Sequence, residues 1–481
     1  MSEISQLQRL VPNRQDLRVR MRLSAAEFLL TPLLMVLGAV ALAVGSVSAD
    51  ISSSEWPADV RAVFLRLFPH DNLVKMLSVI ATGLVTVTTL TLSALLVAVS
   101  HTATSVAPVV FDQFLRRRAN QAYFGYVAGC ATYTYLVMAV SRPEWAGVGA
   151  LLAVVLAAGA LILLVFMGYL MIDQMRPTSV VRSIQELAYR ARVRQMPLLA
   201  RSRTGSLLEG ESVPVTTRAT GYVIDISTAR LESLLAGTGE TVEVAFQVRI
   251  GDLLAYGDTV ARIRGGSPGQ RAHVAETVLT CVTIDRARNA DVDPDYAIEQ
   301  LGNVAWAATS TRQNPDVALA AVGALRDLSA RWAAAGVPDA GEYGGPLPVV
   351  YDDAVQRRIA AALIDLIVVS ASSRQHQTCA VALSTLADIL PQLPERDKDV
   401  AVRSLQRALP ATLSHVASVE MGRGLAKLRA ALDAIGMEDM ADQVREMGPR
   451  LVRESGLSDK DDLIDHLDDT ETTGPRSFRF R

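Results

Sequence analysis

The chain is short of cysteine and has no excess of positive charge, and each shortage excludes a class of protein. Three of the 481 residues are cysteine, far apart at positions 130, 281 and 379, so neither a disulfide framework nor a Cys-x-x-Cys zinc site is indicated. Lysine and arginine number 47, against 50 aspartate and glutamate residues. A nearly neutral chain gives no reason to expect nucleic acid as a partner.

Sequence motifs for catalysis and cofactor binding are also scarce. The six histidines are scattered without the spacing of metal ligands. The glycine-rich segment at residues 265–269 lacks the Gly-Lys-Ser/Thr ending of a phosphate-binding loop, and no helix is expected after it, so we interpret it as a turn. The sequence therefore indicates neither an enzyme nor a bound metal or cofactor.

Long apolar runs are nearly absent from the later part of the chain, but four occur near its start. A bilayer core of about 30 Å needs about 20 apolar residues in a helix, and each run comes close to that length. The sequence predicts a transmembrane domain over residues 26–176, after a leader of residues 1–25. Its four helices are expected near residues 26–48, 77–100, 123–140 and 148–171.

Arginines predict the orientation of these four helices. The leader is rich in arginine, residues 116–118 are all arginine, and Arg176 and Arg182 follow the fourth run. The other two connections have less positive charge. Because positive charge collects on the cytoplasmic side of a membrane, we expect both termini and the carboxyl-terminal half to be cytoplasmic.

The sequence predicts a cytoplasmic α+β region in the second half of the chain. After a connecting helix and linker over residues 177–217, apolar and polar residues alternate at strand period and glycines punctuate the strands. This pattern predicts a small β-rich barrel or sandwich module over residues 218–290. Glycine turns at Gly251 and Gly257 are the strongest indication of a barrel.

Helical spacing of apolar residues replaces the strand pattern after residue 290. Asp293-Pro294 and Asn314-Pro315 each place a capping side chain before a proline, which predicts two helix starts. We expect a helical bundle over residues 291–455, followed by a mobile charged tail over residues 456–481.

Three separated motifs resemble the bacterial predicted-membrane-protein family catalogued as domain-of-unknown-function family 2254. They are Phe111-Asp-Gln-Phe-Leu-Arg-Arg-Arg-Ala-Asn-Gln, then Gly221-Tyr-Val-Ile-Asp-Ile with Arg249-Ile-Gly-Asp and Gly257, then Asp293-Pro-Asp-Tyr-Ala-Ile-Glu-Gln-Leu with Ser310 and Asn314-Pro315. The segment from Ser310 departs from the Ser-Pro-Gly-Ile-Asn-Asp-Pro turn of many members. The resemblance implies a protein of the bacterial inner (plasma) membrane and supplies no activity.

A row of hydroxyl side chains on the second predicted span is the first candidate functional feature. Its spacings of four, three and four residues place the row on one helix face, where it would line a solute path or pack against another helix. Each hydroxyl would alternatively bond to its own helix one turn earlier. We call these residues the hydroxyl row: Thr82, Thr86, Thr89 and Ser93.

Two further candidate features flank the third predicted span. Gly125 and Gly129 have the Gly-x-x-x-Gly spacing that lets two helices approach closely, so they predict helix packing. At the predicted cytoplasmic mouth, one acidic and three basic residues are expected to contact anionic lipid, or to form a charged gate. These residues are Asp112, Arg116, Arg117 and Arg118.

Two function hypotheses remain open from the sequence. In the first, the protein is a homo-oligomeric, channel-like or solute-conducting assembly regulated by its cytoplasmic domain. Proton-coupled pumping is not expected, because no charged residue lies near the middle of a span. In the second, it is a non-transporting membrane scaffold or sensor whose cytoplasmic half binds a protein or a small ligand.

Overall fold

The computed structural model divides the chain into two compact units, Met1–Arg176 and Pro177–Arg481. Within them the structure describes residues 14–51, 70–105, 118–140, 148–174, 176–236, 242–312 and 314–455. Three predicted contact residues, Asp112, Arg116 and Arg117, lie outside these ranges, as do residues 1–13 of the leader and the predicted tail. Arg118 is the first residue of a helix.

The described residues of the first unit form four long helices. They are α1 (Arg14–Ile51), α2 (His70–Ser105), α3 (Arg118–Val140) and α4 (Val148–Gln174). Each contains a stretch long and apolar enough to cross a membrane: Leu30–Ala49, Val74–Ser93, Asn120–Val140 and Val148–Leu170. This confirms the prediction of four helices that are long and apolar enough to cross a membrane.

Helix α3 is the most enclosed helix of the first unit, and it packs against the other three. Two of its tyrosines, Tyr126 and Tyr133, bond to neighbouring helices. The hydroxyl of the fully buried Tyr133 lies 2.9 Å from Oγ of Ser46 in α1 and 3.0 Å from the carbonyl oxygen of Gly149 in α4. One tyrosine thus joins three helices, and its hydrogen bonds are kept away from lipid.

The second unit begins with helix α5 (Pro177–Arg201), which leads into seven short strands. The strands are β1 (Val213–Thr216), β2 (Gly221–Ile226), β3 (Val242–Phe246), β4 (Leu253–Leu254), β5 (Thr259–Gly265), β6 (Val282–Asp285) and β7 (Val349–Val350). Helices α6 (Thr228–Leu235) and α7 (Pro268–Val278) lie between them in the chain.

The strands form two open sheets, in the orders β1-β5-β3-β7 and β4-β2-β6. Neither sheet closes on itself among the described residues, so the predicted barrel is not found. After the turn at Gly251 the short strand β4 pairs with β2 in the second sheet, whereas β5 pairs with β3 in the first. Side chains from both sheets and from α5 share one hydrophobic cluster, as Ile263, Val223 and Leu198 illustrate.

The rest of the second unit is helical. Its helices are α8 (Pro294–Thr311), α9 (Pro315–Ala335), α10 (Val355–Ser373), α11 (His376–Ile389), α12 (Glu395–Ala408), α13 (Val419–Ala434) and α14 (Glu438–Glu454). Both predicted starts are confirmed, with Pro294 and Pro315 as first residues. The Asp293 side chain caps α8 by accepting a hydrogen bond from the backbone N–H of Tyr296 at 3.0 Å. Asn314 makes no capping bond within the described ranges, so that part of the prediction is wrong.

Candidate functional site

The hydroxyl row lies on the exposed face of α2. Thr86 Oγ1 donates to the carbonyl oxygen of Thr82 at 2.8 Å, and Thr89 Oγ1 donates to that of Val85 at 2.9 Å. Such bonds to the preceding turn satisfy a hydroxyl without any partner helix. In a single chain the row therefore lies at the surface of the first unit and not in its interior.

The glycine pair of α3 lies against α1. A Cβ atom at Gly125 would be only 2.7 Å from Cα of Pro32, and one at Gly129 would be 3.3 Å from the carbonyl oxygen of Met35. The backbones of the two helices approach so closely that Gly125 leaves no room for a side chain. The pair thus holds α3 and α1 together within one chain.

The glycine-rich segment at residues 265–269 forms the start of a helix. Contrary to the sequence-based interpretation, helix α7 follows it directly. The segment also has Gly-x-Ser-x-Gly spacing, but Ser267 is in an extended conformation and caps α7, with Oγ accepting from the backbone N–H of Gln270 at 3.3 Å. The Gln270 side chain accepts from the backbone N–H of Ser267 at 2.8 Å. Ser267 therefore has a structural role and not that of a strained nucleophile.

Two segments that carry the family resemblance meet at the start of α8. Gly251 has a φ of +95°, and its backbone N–H donates to the carbonyl oxygen of Val223 at 2.7 Å. A Cβ atom at Gly251 would lie 2.2 Å from Oδ2 of Asp293. Only glycine fits both the positive φ and the close approach of Asp293. The Arg249-Ile-Gly-Asp turn therefore packs directly against the Asp293 side chain that caps α8.

Arg288 contacts the first turns of α8 next to the Gly251 turn. Its Nε donates to Asp293 Oδ2 at 2.8 Å, and its Nη1 donates to Glu299 Oε2 at 2.5 Å. The guanidinium carbon also lies 4.6 Å from the centre of the Tyr296 ring. The positive charge of Arg288 is thus shared by two carboxylates and an aromatic ring.

Asp295, in the first turn of α8, is the least satisfied charged group nearby. It is 9% exposed, and its Oδ1 has no hydrogen-bond partner among the described residues. Its Oδ2 lies 3.7 Å from Nε of Arg358 in α10, too far for a hydrogen bond. Burial, helped by the negative charge of Asp293, raises the pKa of Asp295 to about 7 although Arg358 and Arg249 lower it.

A cavity of about 190 Å³ opens beside Asp295, between α8 and α10. Its walls follow helical spacing on both helices, and Gly302 lies opposite Ala362, where a Cβ would meet Ala362 Cβ at 3.4 Å. We call this cavity the Asp295 pocket. Besides Trp306 and apolar residues, it is lined by Arg288, Asp295, Glu299, Asn303, Arg358 and Asp365.

Sequence reasoning also missed a pair of histidines farther along the chain, of which His415 is buried and His376 is half-buried. The two Nδ1 atoms of His376 and His415 lie 3.1 Å apart, and Nε2 of His415 is 3.2 Å from Oγ of Ser370. The backbone N–H of Val416 donates to Nδ1 of His376 at 3.2 Å. Burial, together with the neighbouring His376, lowers the pKa of His415 to about 4.

Sequence reasoning found the motif that contains Asp295 but not the role of the residue. An acidic residue in the first turn of a helix is usually explained by the helix dipole, so only tertiary burial sets it apart. Arg358 and Asp365 lie some 60 residues later and follow no motif. Among the described residues, no group of three or more histidine, cysteine, aspartate or glutamate side chains is placed to hold a metal ion.

A family model described as "Predicted membrane protein (DUF2254)" matches residues 25–352. The match covers more than half of the chain, so the chain belongs to this family, and the resemblance of its motifs is confirmed. It includes the spans, the Gly251 turn and the α8 wall of the Asp295 pocket, whereas the α10 wall lies beyond its end. No curated protein and no solved structure matches the chain.

Proposed function

We propose that this family member is a membrane-anchored sensor whose second unit binds a small polar ligand in the Asp295 pocket. One observation carries the proposal: Asp295 lines a cavity, and its buried Oδ1 has no hydrogen-bond partner among the described residues. Buried polar atoms are nearly always paired, and each unpaired one costs about 1–3 kcal/mol. A ligand in the pocket would remove that cost.

The size of the pocket suits a small molecule. With water occupying about 30 Å³ in the liquid, a cavity of about 190 Å³ has room for about six water molecules or a ligand of similar size. Most of the lining residues belong to two different helices. A ligand that contacts both Asp295 and Arg358 would therefore change the strength of the packing between α8 and α10. This coupling is what a sensor requires.

The proposal is tested with the full chain in lipid nanodiscs. We expect at least one small amine, carboxylate, alcohol or phosphate probe to raise the unfolding temperature, because a ligand that binds only the folded state stabilises it. The variant Asp295→Asn should lose that response. Asp316→Asn is the matched control, because Asp316 also follows the first proline of a helix but is exposed.

Either of two results would contradict the sensor proposal. If no class of probe changes the unfolding temperature, the pocket holds only water and the proposal is wrong. If Asp316→Asn abolishes a response as fully as Asp295→Asn does, the effect does not come from the pocket.

A conducting assembly is the second candidate function. The observation that favours it is the exposure of all four members of the hydroxyl row on one face of α2. In a homo-oligomer, that face would line a path shared by several copies. Ion or solute flux through the reconstituted protein, reduced by Thr86→Val and Thr89→Val without loss of assembly, would support it, and liposomes without flux would contradict it.

A further inference from the structure

We infer that the ligand of the Asp295 pocket is a small alkylammonium ion. The inference rests on the proposed function and adds the charge class of the ligand. It depends on which hydrogen-bonding groups of the lining are free and which already have partners.

Among the residues that the structure describes, the one buried and unpaired polar atom of the pocket is Oδ1 of Asp295, which is an acceptor. Asp295 is nine-tenths buried, so bulk water does not satisfy it. Asp365 also makes no hydrogen bond or ion pair with the described residues, but it is exposed to solvent. A pocket whose buried unpaired atom is a carboxylate oxygen calls for a ligand that donates hydrogen bonds. A primary ammonium supplies three N–H donors together with a positive charge.

The basic groups of the pocket are less free to hold an anion. Arg288 already donates through Nε and Nη1 to Asp293 and Glu299. An anion on Arg358 would lie next to the Asp295 carboxylate, because the two side chains are 3.7 Å apart. Three acidic residues line the pocket against two arginines, so its ionised lining favours a cation.

The apolar part of the lining suits a short alkyl chain. Trp306, Ala361 and Ala362 border the same cavity as the two carboxylates. Aromatic rings attract cations through their electron-rich faces, and small aliphatic side chains leave space for methylene groups. The pocket therefore combines an acidic end group with a surface for hydrocarbon.

Binding of such a cation should be linked to the protonation of Asp295. The charged groups that act on this carboxyl are Asp293 from its own helix, Arg358 and Asp353 around the start of α10, and Arg249 from the strand turn. An ammonium ion favours the ionised form of the Asp295 carboxyl, so binding of the ligand releases the proton of Asp295. An anionic ligand would favour the protonated form instead, and the two charge classes thus give opposite pH dependences.

The test measures binding of butylammonium, butyrate and butanol to the full chain in nanodiscs by calorimetry. These probes are similar in size and differ in charge. Because an alkylamine stays protonated near neutral pH, the affinity for butylammonium should rise about tenfold between about pH 6 and about pH 8, as Asp295 loses its proton. Asp295→Asn should weaken it by at least about tenfold, whereas Asp316→Asn should leave it unchanged.

The outcomes separate this inference from the proposed function. Preferential binding of butyrate, lost in Arg358→Gln, would overturn the ammonium inference and keep the sensor proposal. Butylammonium binding that does not depend on pH or on Asp295 would also overturn the inference. Absence of binding by all three probes would count against both.

Discussion

At the scale of single residues, Asp295 and His415 are buried ionisable side chains of the second unit whose surroundings favour the neutral form. Burial raises the pKa of Asp295 to about 7 and lowers that of His415 to about 4. The two shifts make opposite contributions to the pH dependence of stability, because one neutral form holds a proton and the other lacks it.

The Asp295→Asn variant should be more stable than the wild type above neutral pH. The pKa of Asp295 in the folded state lies above its ordinary value of 3.8, so its stabilising contribution is full below about pH 4 and is lost as the pH rises through about 7. An asparagine cannot ionise, and the gain at about pH 8 should be about 4 kcal/mol at most. Urea unfolding of the nanodisc-embedded chain measures it. An equal gain at about pH 4, or none at about pH 8, would contradict a raised pKa.

His415→Gln should reduce the acid sensitivity of the protein. The folded-state pKa of His415 is about 4 and its ordinary value is 6.5, so the unfolded chain binds the proton more readily. The wild type should therefore lose about 3 kcal/mol of stability as the pH falls from about 6.5 to about 4. The difference between the two unfolding profiles isolates this contribution from the other acidic groups. Parallel profiles would show that His415 titrates normally.

At the scale of elements, local signals located the helices but not the strand partners. Pro294 and Pro315 start helices as the sequence predicts, because a proline at the first helical position is a local rule. By contrast, β7 is only two residues long and pairs in parallel with β3, about 100 residues earlier. No periodicity can show a two-residue strand or its distant partner, which is why the sequence predicts only a barrel or sandwich where the structure has two open sheets.

The contact between α1 and α3 provides an element-scale prediction. Gly125→Ala should weaken the first unit, because the added Cβ would lie 2.7 Å from the backbone of Pro32 and force the helices apart. Such overpacking costs about 1–3 kcal/mol. Gly168→Ala in α4 is the matched control, since no atom lies within 4 Å of its added Cβ. Thermal unfolding in detergent compares the two variants, and an equal midpoint for both would mean that the close packing does not contribute to stability.

At the scale of the whole molecule, the chain forms two compact units, of which the first ends at Arg176. The four apolar helices lie in that first unit, and hydropathy predicts them because lipid imposes a length and a composition on every span. The Asp295 pocket could not be predicted in the same way, since α8 and α10 are brought together by packing and not by any shared motif.

The orientation of the chain in the membrane provides the last prediction. If the four candidate helices all cross the membrane, both ends lie on one side, and the arginines of the leader and those after α4 predict that this side is the cytoplasm. A fluorescent protein fused to the carboxyl terminus should therefore fluoresce, and alkaline phosphatase fused there should be inactive. Phosphatase inserted in the connection between α3 and α4 should be active, which controls for expression. The reverse pattern would place the Asp295 pocket outside the cell, where it would sense external and not cytoplasmic amines.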